Sequence, residues 1–395
     1  MTNREVVVLS AVRTPIGKFG GALKDIPPSD LAAGVVREGV KRSGLTPADI
    51  GNVVFGNVIH TEAKDMYISR VAAMMGGLPA ETPALSLNRL CGSGLQAIVT
   101  AAGMILHGDA DTAIAGGVES MSRAPYWMSS LRWGARMNNA MAVDVLVAAL
   151  TDPFDEVHMG VTAENVARKW GITREDQDEL AVESHHRALC AIEAGRFKEQ
   201  IVPVELKSKK GTTIFDTDES PRADATMENL AKLKPAFDKD GTITAGNASS
   251  VNDGAAAVVL MEKQAAEDRG LKPVAKLIDY AVTGVEPGIM GIGPVSAVRR
   301  LYERTGLSND DIDVFEANEA FAAQVLAVRR ELDLPPEKTN PNGSGISLGH
   351  PLGATGTILA VKALHELHRI GGKYALVTMC IGGGQGIAAI FQSMN

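Results

Sequence analysis

Two of the chain's three cysteines stand beside glycines, Cys91 in Asn-Arg-Leu-Cys-Gly-Ser-Gly (88 to 94) and Cys380 in Cys-Ile-Gly-Gly-Gly-Gln-Gly (380 to 386). Gly-His-Pro at 349 to 351 adds a histidine, His350, between residues that favour a loop. Free cysteine ordinarily fills small gaps in a core. Flanking glycines point elsewhere, because glycine opens the backbone to close approach by a ligand. The three side chains read as a nucleophile, a second thiol able to move protons, and a histidine to activate them. After Cys91, the residues Leu95, Ile98, Ala102 and Ile105 recur at helical spacing, which predicts that Cys91 lies in the first turn of a helix. Free N–H groups and partial positive charge at that end lower a thiol pKa and can hold a developing oxyanion, and Gly92 and Gly94 are expected to leave room for a thioester. A second helix is expected from about Thr357, just after His350. The histidines at His60, His107, His185, His186, His365 and His368 fall in polar or helix-surface contexts and read as solvated. Cys190, in Ala-Leu-Cys-Ala-Ile, reads as an inert core thiol. No close Cys/His spacing suits zinc.

These groups need a scaffold of about the size the chain supplies. Its 395 residues, 45% hydrophobic and 22% charged, suggest two or three domains with a substantial core. A net charge of −8 gives no basic footprint for nucleic acid. Three cysteines argue against a disulfide framework and suit a reducing compartment. No signal-peptide core is read at the N-terminus and no membrane span elsewhere, so a cytoplasmic location is expected. Short β-branched runs at 6–9, 53–55, 112–115, 256–260, 314–315 and 375–379 alternate with amphipathic segments, the pattern of a layered α/β protein.

The segment from Asp49 to Asn57 resembles that from Asp311 to Asn318. Each is followed by Gly-Ser-Gly, at 92 to 94 and 343 to 345, and then by a strand ending in glycines. A repeat of this length implies a duplicated domain rather than a solenoid. Between the halves, residues 119–246 break the alternation with short polar segments and read as an inserted loop domain, too long for a linker. The expected division is 1–118 and 247–272 for the N-terminal half, 119–246 for the insertion, and 273–395 for the C-terminal half.

Six motifs in order resemble the thiolases, and in particular their acetyl-CoA acetyltransferase and β-ketothiolase group, over essentially the whole chain. They are the Cys91 heptapeptide, His-Met-Gly-Val-Thr-Ala-Glu-Asn (158 to 165), Gly-Asn-Ala-Ser (246 to 249), Asn-Glu-Ala-Phe-Ala (318 to 322), Gly-His-Pro at His350 and the glycine-rich run at Cys380. The resemblance implies a duplicated fold layered α/β/α/β/α and a reversible ping-pong Claisen condensation. In that reaction His350 activates Cys91 to take an acyl group from one acyl-CoA, and Cys380 removes a proton from a second. It also implies two oxyanion holes, one from His350 with a water held by Asn318, the other from the backbone N–H groups of Cys91 and Gly382. For coenzyme A it points to Ser249, His158, Met159, Phe237 and Phe321, with Arg222 at the nucleotide end and Ala245 and Gly246 beside the channel. Leu150, Met290 and Phe321 are expected to close the acyl pocket after a few carbons.

Coenzyme A and acyl-CoA are substrates on this reading, with no permanent cofactor, and the assembly expected is a homotetramer with Tyr126, Trp127 and Trp133 as candidate contacts. Ser250-Val251 departs from the family's usual glycine and longer aliphatic residue, and is expected to narrow or re-aim the channel. The alternatives are a degradative long-chain 3-ketoacyl-CoA thiolase, a ketoacyl synthase, a catalytically silent acyl-CoA carrier and a Cys91–Cys380 redox sensor. The filled Cys380 position disfavours the synthase, because decarboxylation needs no thiol base. The four occupied catalytic positions disfavour the carrier.

Overall fold

A computed structural model describes residues 4–209 and 211–394. Its centre is a ten-stranded sheet. In chain order the strands are β1 (Val6–Arg13), β2 (Gly17–Lys18), β3 (Asn52–Gly56), β4 (Ala84–Leu87), β5 (Thr112–Ser120), β6 (Asn252–Glu262), β7 (Ala275–Gly284), β8 (Val314–Ala317), β9 (Tyr374–Ile381) and β10 (Gln385–Ser393). The longer helices are α1 (Pro28–Ser43), α2 (Ile68–Met75), α3 (Ser93–His107), α4 (Met159–Trp170), α5 (Arg174–Glu193), α6 (Gly293–Thr305), α7 (Ala322–Leu332) and α8 (Leu352–Ile370).

Every strand expected from a β-branched run is present, and the order across the sheet is β8-β9-β10-β7-β1-β6-β5-β3-β4, with β2 on β6. The duplication shows in this order. In the first half β3 and β5 are parallel, and β5–β6 and β6–β1 antiparallel. In the second half β8 and β9 are parallel, and β9–β10 and β10–β7 antiparallel. Each half also enters its first parallel strand from a single reciprocally capped turn, Thr46 with Asp49 and Ser308 with Asp311. The halves are joined edge to edge, because β1 pairs β7 at Val7–Lys276 and Val8–Ala275.

Alternation along the strands explains the layers. Val6 and Val8 of β1 face a central cluster shared with α3 and α8, while Val7 and Leu9 face an outer cluster under α1 and α2. A third cluster covers the outer side of the second half beneath α6 and α7. Both faces of each half-sheet are thus dry, which is why the strands read as continuous apolar runs. Residues 90–107 form an 18-residue apolar window, longer than the sequence reading allowed for. It belongs to the central α3 region and is 56% buried.

The chain leaves the sheet at Ser120, the end of β5, and returns at Asn252 in β6, whose Asp253 pairs with Ser120. The excursion carries α4, α5 and two hairpins, Tyr126–Trp127 with Val143–Asp144 and Val204–Ser208 with Gly211–Phe215. One of its anchors is a fully buried ion pair in which Arg13 grips both oxygens of Asp218 at 2.7 and 2.8 Å and gives its Nε to Gln200. Losing either partner leaves a buried charge, which costs about 3–5 kcal/mol.

Candidate active site

Cys91 sits just before Gly92, the N-cap of α3, and so lies outside the first turn in which the sequence placed it. The loop is locked: Leu90 takes a left-handed φ of 46°, its N–H donates to Asn88 Oδ1 at 2.8 Å, and the Ser93 hydroxyl accepts from Arg89 N–H and donates to the Leu90 carbonyl. The flanking glycines serve packing rather than ligand access. A Cβ on Gly94 would stand 2.6 Å from the Thr357 nitrogen of α8, and one on Gly92 would press on Ile381. The N–H groups of Gly382 and of Cys91 itself reach the sulfur and favour the thiolate, but burial outweighs them and pushes the thiol up to about 11. The expectation of a depressed thiol pKa is therefore corrected, since desolvation opposes the charged form more than two amides support it.

His350 is buried between Gly349 and Pro351, with its backbone N–H held by Asn252 Oδ1 at 2.8 Å. Its Nδ1 lies 2.7 Å from Thr355 Oγ1, and that hydroxyl donates to the Pro351 carbonyl. The Thr355 proton being committed, Nδ1 must be the donor, which leaves Nε2 as an acceptor. Asn318 Nδ2 approaches Nε2 at 3.4 Å. Burial pushes the imidazole down to about 4, so it is neutral at physiological pH. The Asn318 Oδ1 atom is buried with no hydrogen-bond partner among the described residues, as suits a side chain that holds a water. Cys380, near the end of β9, is buried, and desolvation followed by the proximity of Cys91 drives its thiol far above the ordinary range.

The two thiols and His350 face one cavity of about 240 Å³, whose lining is mostly apolar. Of the residues named from sequence, Cys91, His350, Cys380, Gly382, Ser249, His158, Met159, Phe237, Phe321, Leu150 and Met290 line it, and Asn318 stands behind His350. His158 caps α4, accepting from Gly160 N–H at Nδ1, and stacks on Phe237 at 4.6 Å, with Phe321 edge-on beyond it. Arg222, Ala245 and Gly246 are not among the lining residues. Arg222 is exposed and gives its backbone N–H to His185, Ala245 is exposed, and Gly246 packs under Leu230.

Val251, expected beside the channel together with Ser250, lines the wall, whereas the sequence reading missed Leu90, Met121, Ala149, Ala248, Ala320 and Leu352 there, and Thr355 behind the histidine. Ser250 also lines the cavity, but its hydroxyl turns back to Asn252 Oδ1 at 2.9 Å, the same oxygen that holds His350. Three other expectations are corrected. His185 is buried, with its pKa held down to about 4 by burial, and His365 is largely buried against the Ala11 carbonyl. Cys190 is exposed, 3.6 Å from His186 Nε2, rather than in the core.

Two converging thiols and a neutral histidine under backbone amides define an acyl-transfer centre that works through a cysteine thioester. The sequence matches the thiolase N-terminal domain over residues 6–264 and the thiolase C-terminal domain over 271–393. It is 63% identical over 390 residues, 98% of this chain and 99% of the other, to the beta-ketothiolase BktB of Cupriavidus necator. Among solved structures it superposes on the acetyl-CoA acetyltransferase of Bacillus anthracis with a TM-score of 0.97, at 47% identity and 99% coverage of both chains. It superposes on human mitochondrial 3-ketoacyl-CoA thiolase in complex with CoA with a TM-score of 0.96, at 44% identity, covering 99% and 98% of the two chains. The chain belongs to the thiolase family.

Proposed function

We propose that this enzyme is a short-chain β-ketothiolase, an acetyl-CoA C-acetyltransferase that joins acetyl-CoA to a short acyl-CoA and runs in both directions. The observation that carries the reading is the meeting of Cys91, Cys380 and His350 in one largely apolar cavity.

In the first half-reaction His350 Nε2 takes the Cys91 proton, the sulfur attacks the thioester carbonyl, and the oxyanion is held by the N–H groups of Cys91 and Gly382. Coenzyme A leaves as a thiolate and takes its proton from Cys380, so the acetyl-enzyme stands with a Cys380 thiolate opposite an imidazolium. In the second half-reaction Cys380 removes a methyl proton from incoming acetyl-CoA. The enolate oxygen is stabilised by His350 Nε2–H and an Asn318-held water. The carbanion attacks the acetyl-cysteine, Cys91 leaves as a thiolate and recovers the proton from His350. Two acetyl-CoA become acetoacetyl-CoA and CoA.

Leu150, Met290 and Phe321 close the acyl end, so acetyl and propionyl groups are accepted and longer chains fall off gradually, one methylene being worth about 1–3 kcal/mol. The exposed Tyr126, Trp127 and Trp133, the last 88% exposed, support contacts in a homotetramer, and the enzyme works in the cytoplasm. Thiolysis of C4 to C12 3-ketoacyl-CoAs tests the reading. Comparable rates on acetoacetyl-CoA and 3-ketovaleryl-CoA are expected, and a kcat/KM rising steadily toward C12 would replace it with the long-chain degradative activity. Incubation with acetyl-CoA should leave one acetyl group on the Cys91 peptide.

A further inference from the structure

One buried carboxylate beside the nucleophile has no part in the chemistry above. Glu119 projects from β5 into the central layer with no exposure, and four N–H donors converge on it. Its Oε1 accepts from Asn57 Nδ2 and Ile59 N–H, each at 3.0 Å, and its Oε2 from Val58 N–H at 3.1 Å and Gly353 N–H at 2.8 Å. Gly353 belongs to the first turn of α8, which has no side-chain cap of its own and follows directly on His350. A Cβ on Gly353 would lie 2.8 Å from Glu119 Oε2, so the glycine is what lets the helix end approach the acid. Ile59, which Glu119 holds, and Leu352, the neighbour of Gly353, pack with Met121 in one cluster with Cys91.

We propose that Glu119 is a positioning residue of the active site, fastening the segment 57–59 and the start of α8 to β5 so that His350 and Cys91 share one anchor, and placing a fixed negative charge beside the thiol. All four partners are donors, an arrangement that suits the ionised carboxylate, which accepts at both oxygens. Burial raises its pKa to about 7, so the charge is present throughout the range in which Cys91 titrates. That charge opposes the thiolate and helps to keep the proton on Cys91 until His350 removes it. The other titratable groups facing Cys91 are Cys380 from β9, His350 ahead of α8 and His158 ahead of α4, while Asp65 faces Glu119. None of these brings a cation at alkaline pH, so the sign of the Glu119 effect is not masked.

The proposal rests on Cys91 being the nucleophile, an assignment that fails separately if acetyl-CoA leaves no acetyl group on the wild-type Cys91 peptide. Its own test is the pH dependence of iodoacetamide alkylation, read by mass on the Cys91 peptide because exposed Cys190 also reacts. Glu119→Gln removes the charge and turns an amide toward donors; the alkylation midpoint should fall by about one pH unit, and kcat for thiolysis should fall roughly tenfold with KM changed less than about twofold. Asn57→Asp places a second carboxylate against Glu119, and its midpoint should rise. Loosened packing alone lowers both midpoints toward that of an ordinary thiol, so opposite shifts support the proposal. Two downward shifts, or two unmoved midpoints, overturn it. If Glu119→Gln does not fold, the sign of the Asn57→Asp shift decides alone.

Discussion

Thr355 offers a direct test of the histidine's working form. Its hydroxyl accepts the His350 Nδ1 proton at 2.7 Å and passes its own proton to the Pro351 carbonyl. Thr355→Val keeps the shape of the side chain and removes the acceptor. The buried Nδ1–H then has no partner, at a cost of about 1–3 kcal/mol, and the imidazole gains freedom to carry its proton on Nε2, where it cannot accept from Cys91. At about 1.4 kcal/mol per tenfold, kcat for thiolysis of acetoacetyl-CoA should fall roughly 5- to 150-fold. Acetylation of Cys91, followed by rapid quench, should slow by a similar factor, since His350 acts first there. Thr355→Ser keeps the hydroxyl and should stay within about threefold of the wild type. A valine variant with more than half the wild-type kcat would show that the tautomer is set by something else. A serine variant as slow as the valine would show that packing of the methyl group, not the hydrogen bond, matters.

Cys380→Ser should lose condensation and thiolysis by several orders of magnitude while keeping partial acetylation of Cys91, whereas Cys91→Ala loses both; equal loss of acetylation in the two would give Cys380 an essential role in the first step. Gly160→Ala would drive a Cβ into Phe237, the ring stacked on His158, so a loss of about 1–3 kcal/mol and a raised KM for acyl-CoA are expected; unchanged urea unfolding and KM would mean the aromatic wall yields freely. His185 is held neutral, with a pKa near 4 against 6.5 unfolded, so its contribution is full above pH 6.5 and is lost as pH falls toward 4, at about 1.4 kcal/mol per pH unit. His185→Asn should flatten the acid limb of the stability profile by about that slope, and an unaltered limb in urea titrations would count against a buried neutral ring.

The strands were legible wherever β-branched residues run together, as in Val6-Val7-Val8, because a sheet buried on both faces needs them throughout. No β-branched run marks β2, β4, β7 or β10. β10 reads Gln-Gly-Ile-Ala-Ala-Ile-Phe, and its small residues show no strand preference until their neighbours are known. The catalytic side chains were legible because unusual residues sit in unusual loops. The cavity wall was not, since Leu90, Met121 and Leu352 are ordinary apolar residues brought together from distant segments. In α5 the buried stripe runs Ala181, Ser184, His185, Ala188 and Ala191, and helical spacing from it places Cys190 on the outer face and His185 on the inner one. The immediate neighbours of each residue, polar around His185 and apolar around Cys190, suggest the reverse. The thiol pKa was misjudged for a related reason, since sequence shows the amides at a helix end but not how little water reaches them.

The place of β1 bears on how the chain is made. Its two partners, β6 and β7, pair it through Val7–Met261 and Val7–Lys276, so once made this strand waits for about 250 further residues of synthesis before its partners arrive. At roughly 5–20 residues per second of synthesis, that is a delay of about 13–50 seconds. Throughout it a stretch reading Val-Val-Val-Leu is an unpaired, adhesive edge of the kind that recruits other chains. Nascent molecules of this enzyme therefore carry an unpaired apolar strand through much of their synthesis, and their yield in a cell should respond to translation speed and to chaperones that bind short apolar strands.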